Sequence, residues 1–184
     1  MSITKWIILL AALSIANYSF SASDDDIQII KRITSTECHS FNKTCSIVIN
    51  NTDNSINAYT INNNIIILSQ GIVNSMTGRE LLAVVLHEIG HIKYGDYEML
   101  QHAKKHAPEI ISNKQLRHNI ELRADDYATY YFNDKCMSNY LPKAFIKLGK
   151  ADWTRESITH PSLNKRVQNI QSKINVTNCK YINK

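Results

Sequence analysis

Two histidines flank a glutamate in His87-Glu88-Ile89-Gly90-His91, and two carboxylates recur in Glu121-Leu122-Arg123-Ala124-Asp125. On a helix, residues four apart share a face, so His87 and His91 present two imidazole nitrogens to one tetrahedral ion. Glu88, one residue on, reaches a water on that ion, which is where a general base must stand. Catalytic zinc ordinarily takes three protein ligands and a water. Glu121 follows His91 after 29 intervening residues, room for a turn and a returning helix. Asp125 lies one helical turn beyond Glu121, where its carboxylate can accept the free ring N–H of a ligand histidine and fix the tautomer. The expected chemistry is hydrolytic, with one zinc per chain held by His87, His91 and Glu121. The ion lowers the pKa of its water, and Glu88 takes the proton as that water attacks a carbonyl. A pair of satisfied core histidines would need no such glutamate, and burying Glu88 unpaired beside them is costly.

These residues need two helices, and the surrounding sequence predicts both. Leu81 to Leu86 is apolar all round, as in a buried helix, with Thr77-Gly78-Arg79-Glu80 as a capping box at its start and Gly95 as its stop after Tyr94. Upstream, Asp24 to Asp26 cap a short amphipathic helix running to about Ile33. Ser46 to Asn50, Ala58 to Ile61 and Ile65 to Leu68 read as strands, with Asn62-Asn63-Asn64 as the turn between the last two. Everything after Gly71 is mainly helical. His102 and His106 are also four apart, but Lys104 and Lys105 lie between them and no carboxylate is near, so they read as a solvated face.

The two motifs resemble those of the zinc metallopeptidases that include HtpX and the CAAX prenyl endopeptidases (peptidase family M48). Two further segments carry the resemblance. Asn57-Ala58-Tyr59-Thr60, followed by Ile65 to Leu68 and Gly71-Ile72-Val73, is similar to the family's edge strand, hairpin and short helix. His160-Pro161-Ser162 with Arg166 is similar to its histidine-proline-serine segment. The likeness spans roughly residues 45 to 170. It implies an α+β fold, a mainly helical zincin (gluzincin) domain with a small antiparallel sheet beside the zinc-site helix. It also implies that Asn57, Ala58 and Tyr59 bind an extended peptide, and that His160 and Arg166 stabilise the transition state. The membrane-embedded relatives carry transmembrane helices, whereas no internal apolar run here is long enough to span.

At 184 residues and 43% hydrophobic content the chain suits one domain with a real core. Lys5, the apolar stretch Trp6 to Ala16 and the small polar residues to Ser23 read as a signal peptide, residues 1–22, ahead of a peptidase domain at 23–184. Cleavage after Ser21 or Ser23 fits, and the chain is then periplasmic in a cell with two membranes and otherwise secreted. Export makes Cys38, Cys45, Cys136 and Cys179 readable as two disulfides, with Cys38–Cys45 and Cys136–Cys179 favoured among three connectivities. From Lys135 to Lys184 ten Lys or Arg face two acidic residues. Such a flank suits an anionic membrane surface or acidic substrates, and equally a solubilising face. No nucleic-acid module is recognisable. The expected partners are protein or peptide substrates, above all unfolded ones, and the expected activity is endopeptidase work on envelope proteins. The rival reading is an assembly factor or a latent enzyme with a plugged site.

Overall fold

The computed structural model describes residues 21–134, 139–148 and 156–174. Residues 1–20 of the expected signal segment, Cys136 and Cys179 lie outside the described residues. Helices dominate, and a three-stranded sheet packs beside them: α1 (Asp24–Ser40), β1 (Ser46–Asn50), β2 (Ala58–Ile61), β3 (Ile65–Ser69), α2 (Gln70–Ser75), α3 (Gly78–Tyr94), α4 (Asp96–His106), α5 (Pro108–Ile111), α6 (Lys114–Asp134), α7 (Tyr140–Leu148) and α8 (Leu163–Lys173). The α+β class is as the sequence implies.

The central element is α3. Its capping box closes through Thr77 and Glu80, it ends at Gly95 with φ of 68°, and Leu81 through Gly90 is buried without a break. A helix buried on every side needs neighbours on every side, and α1, α6, α7 and β2 supply them. Lys43 secures the far end by donating to the Ile92 carbonyl at 2.6 Å, one of the carbonyls a helix leaves without an internal partner.

Helix α1 runs well past the expected end near Ile33. Ser23 caps it in a box with Asp26, and Ile27, Ile30, Thr34 and Cys38 form its buried face. The Thr-Ser-Thr run at 34–36 does not break it, because Thr34 and Thr36 bond back to the carbonyls of Ile30 and Arg32 within the helix. A Cys38–Cys45 disulfide then ties its end to β1, as expected.

The sheet departs from the expected antiparallel form. Its order is β1-β3-β2, with β2 antiparallel to β3 and β1 parallel to it. The hairpin closes through the three residues 62–64, with Asn62 and Asn63 at φ of 51° and 53°, a left-handed region that asparagine tolerates. The crossover comes from residues 51–57, which pass over the start of α2. Gly71 donates to the Asp53 carbonyl there, and any Cβ on it would lie 2.2 Å from the Ser55 carbonyl oxygen. Inward, Ala58, Ile66 and Leu68 are buried. Outward, Val48 and Tyr59 flank Ile67 across the sheet and are exposed. Because β3 is central, β2 is an edge strand with one open side.

Helix α6 presents His118, Ile120, Glu121, Ala124, Asp125, Ala128, Thr129 and Phe132 as one buried stripe. It meets α3 where Gly90 lies against Ala124: a Cβ at Gly90 would stand 2.9 Å from the Ala124 Cα, well inside the optimal ~3.5–4.0 Å for carbon atoms. Gly90→Ala should therefore force the two helices apart and cost about 1–3 kcal/mol, the usual scale of overpacking. Thermal unfolding and metal titration check this together, since both stability and metal affinity are expected to fall.

Candidate metal centre and active site

Because α3 and α6 approach so closely, side chains four residues apart on each helix meet in one place. The Nε2 atoms of His87 and His91 are 3.1 Å apart. The Glu121 carboxylate approaches both, with Oε2 3.5 Å from His87 Nε2 and Oε1 3.7 Å from His91 Nε2. Ligands at the usual zinc distances and tetrahedral angles stand roughly 3.3 Å from one another, so this donor triangle fits the ion closely. A second triangle, His87, Glu88 and His91, has its donor atoms within 4.8 Å of one another. It is the poorer set, because Glu88 Oε2 already accepts a hydrogen bond from Thr60 Oγ1 at 2.8 Å, whereas Glu121 has both imidazoles as its near neighbours.

Each histidine is oriented from behind. Asp125 Oδ1 lies 2.9 Å from His87 Nδ1, as the sequence led us to expect, and Asp96 Oδ2 lies 2.9 Å from His91 Nδ1. A carboxylate on Nδ1 holds the proton there and leaves the Nε2 lone pair for a metal. Asp96 was not singled out from the sequence. It follows Gly95 on another helix, and its one signal is a carboxylate one residue after a helix-terminating glycine. Asp96 is 2% exposed and also pairs with Arg123.

Arg166 is buried and closes the other side. Its Nε and Nη2 donate to the two Asp125 oxygens at 2.9 and 2.6 Å, and its guanidinium lies 4.0 Å over the Phe145 ring. Its Nη1 is 3.8 Å from Glu121 Oε2. The fork is thus spent on Asp125, which makes Arg166 first a holder of the His87 partner.

His160 sits on the cavity wall, with Nε2 3.8 Å from Glu121 Oε1. Its Nδ1 lies 2.8 Å from the Thr159 hydroxyl. Its loop is pinned to α6 by the buried His118, whose Nε2 lies 2.8 Å from the Ser157 carbonyl. Spacing gave no reason to single out His118, because its partner is 39 residues away.

The charges follow from this packing. Burial and the Arg166 charge push His87 down, yet its bonds to Asp125 and Glu121 outweigh them and raise its pKa to about 9. Burial pushes Glu121 up, but His87, His91 and Arg166 hold it well below the usual carboxylate range. Burial likewise opposes ionisation of Asp125, and Arg166 reverses that. His160 is lowered, first by burial and then by Arg166 and His87, against the pull of Glu121. A neutral imidazole results, suited to donating rather than carrying charge.

His87, Glu88, His91, Glu121, His160 and Arg166 open on a cavity of about 230 Å³. Ala58, Tyr59 and Thr60 form one wall, and Val84, Phe145 and Leu148 supply apolar surface. Asn57 is not brought to the wall: its N–H donates to Ser69 Oγ and its carbonyl accepts from the Ser69 N–H. With Asn57 and Ser69 bonded, ladder alternation pairs Tyr59 with Ile67 and turns the Ala58 and Thr60 main-chain groups to the open side.

Residues 24–112 match the model of peptidase family M48. The match supports the M48 family across that segment. No curated protein shows a significant match. The matched segment runs from α1 through α5 and includes His87, Glu88, His91 and Asp96, while Glu121, His160 and Arg166 lie beyond it and are placed by geometry.

If Asp96 orients His91, Asp96→Ala should weaken zinc binding by about 10–100-fold, the scale for losing a carboxylate behind a ligand histidine. Competition with a chelating dye measures this. Unchanged affinity would leave Asp96 only its pairing with Arg123.

Proposed function

We propose that this M48 peptidase is an exported, zinc-dependent endopeptidase that cleaves extended, unfolded segments of envelope proteins. The observation that carries the reading is the triangle of His87 Nε2, His91 Nε2 and Glu121, each histidine backed by a buried aspartate, with Glu88 alongside. Zinc bound there would supply Lewis acidity and an activated water. The remaining work falls to the chain. Glu88 accepts the proton of the attacking water and passes it to the leaving amine. His160 offers its Nε2–H to the carbonyl oxygen as negative charge grows on it. The outward main-chain groups of Ala58 and Thr60 hold the substrate backbone as an added strand, which reads extension more than side chains.

Several features support export. The Cys38–Cys45 bond suits an oxidising compartment. Ser23 is the N-cap of α1 and Ala22 donates to Val73, so processing after Ser21 preserves both. Among the described residues no helix is long and apolar enough to cross a membrane.

The test is metal analysis beside casein digestion, with and without a chelator. About one zinc per chain and chelator-sensitive cleavage are expected. Glu88→Gln should keep zinc and fold while turnover drops by at least ~10²-fold, and normal digestion by this variant would remove Glu88 as the base. His160→Ala should likewise keep zinc yet turn over ~10²-fold more slowly, the scale of one lost oxyanion donor. Lost zinc in that variant would point instead to a structural loop.

A further inference from the structure

Thr60 stands apart from its neighbours on the inner face of the sheet. Its cross-strand partner is Ile66, which pairs in turn with Ile47, so the row it occupies is otherwise apolar. Its hydroxyl points at α3 and lies 2.8 Å from Glu88 Oε2 and 3.3 Å from the Glu88 carbonyl oxygen. A hydroxyl has one hydrogen to donate, and the shorter contact, to a carboxylate, is the stronger claim on it.

The two partners differ in stiffness. Threonine is branched at Cβ and restricted at χ1, and here it is held in a strand. Glutamate has three rotatable bonds, so left alone it would spread over several rotamers at the point where one is needed. We propose that Thr60 is a positioning residue for Glu88: it anchors Oε2 and leaves Oε1 directed at the space beside His87 and His91. The same residue turns its main-chain N–H and C=O to the open edge of β2. A peptide that pairs there is thereby placed in register with the carboxylate that serves its cleavage. This inference rests on the peptidase reading above.

The isosteric Thr60→Val removes only the hydroxyl, and Thr60→Ser keeps it. With zinc content equal in all proteins, Thr60→Val should lower kcat on a fluorogenic peptide about tenfold while KM stays within about twofold, and Thr60→Ser should recover most of the loss. A readout independent of turnover is the thermal midpoint. Thr60→Val should lower it in the wild-type background and much less in a Glu88→Ala background, because the contact is then already gone. An unchanged kcat in Thr60→Val, or equal losses in the Val and Ser variants, would overturn the positioning role. Equal thermal losses in both backgrounds would overturn the contact itself. A zinc-loaded wild type unable to cleave any peptide would instead refute the peptidase reading and the catalytic part of this role with it, and the thermal comparison would still decide whether Thr60 holds Glu88.

Discussion

The closeness of α3 to α6 is the constraint on which the rest of this molecule depends. Two helices ordinarily pack about 8–10 Å apart, with the distance set by the side chains at the contact. Here the contact is Gly90 on Ala124, the smallest pair short of two glycines. His87 and His91 flank Gly90 in sequence, and Glu121 and Asp125 flank Ala124. Drawing the backbones together at that point brings His87, His91 and Glu121 into ligand range, with Asp125 behind His87, at the middle of an apolar interface. A larger residue at either position would preserve both motifs and separate their donors.

Burying so much charge is expensive unless each group is paired, and the pairing follows one scheme twice. Asp125 holds His87 on one side and Arg166 on the other, and Asp96 holds His91 on one side and Arg123 on the other. Each arginine lies over an aromatic ring, Arg166 over Phe145 at 4.0 Å and Arg123 over Tyr94 at 4.3 Å. An aspartate bound on both sides is held in place, so each imidazole is fixed in direction before any metal arrives. Preorganisation of this kind is what lets a short donor triangle persist in the core. It also explains why α6 has so little apolar contrast between its faces: the stripe it buries includes Glu121 and Asp125.

The small sheet contributes through its edge. The crossover that makes β1 parallel to β3 leaves β2 outermost and next to α3, so one short strand faces both Glu88 and the open cavity. Had the three strands formed a simple antiparallel meander, β3 would have been an edge strand. The connection formed by residues 51–57, able to pass over Gly71, decides the matter.

What the sequence determined by itself is whatever depends on near neighbours. The capping box at Thr77, the stop at Gly95, the three strands and the Asn62–Asn63 turn are local signals, and the structure has each of them. The spacing of His87, Glu88 and His91, and of Glu121 and Asp125, was legible because helical periodicity alone puts those residues on shared faces. The Cys38–Cys45 loop was legible for the same reason. Tertiary structure decided what depends on distant partners. Asp96 became the partner of His91 across the break between two helices at Gly95, and Arg166 was drawn to Asp125 across 41 residues. His118 found the loop of His160, and the Asn57 main chain bonded Ser69. Helix α1 outran its sequence signals because Thr34 and Cys38 had a buried surface to meet. A residue's type limits the chemistry it can do, but the partner that selects among those chemistries is supplied by packing, and packing joins residues that no sequence interval relates.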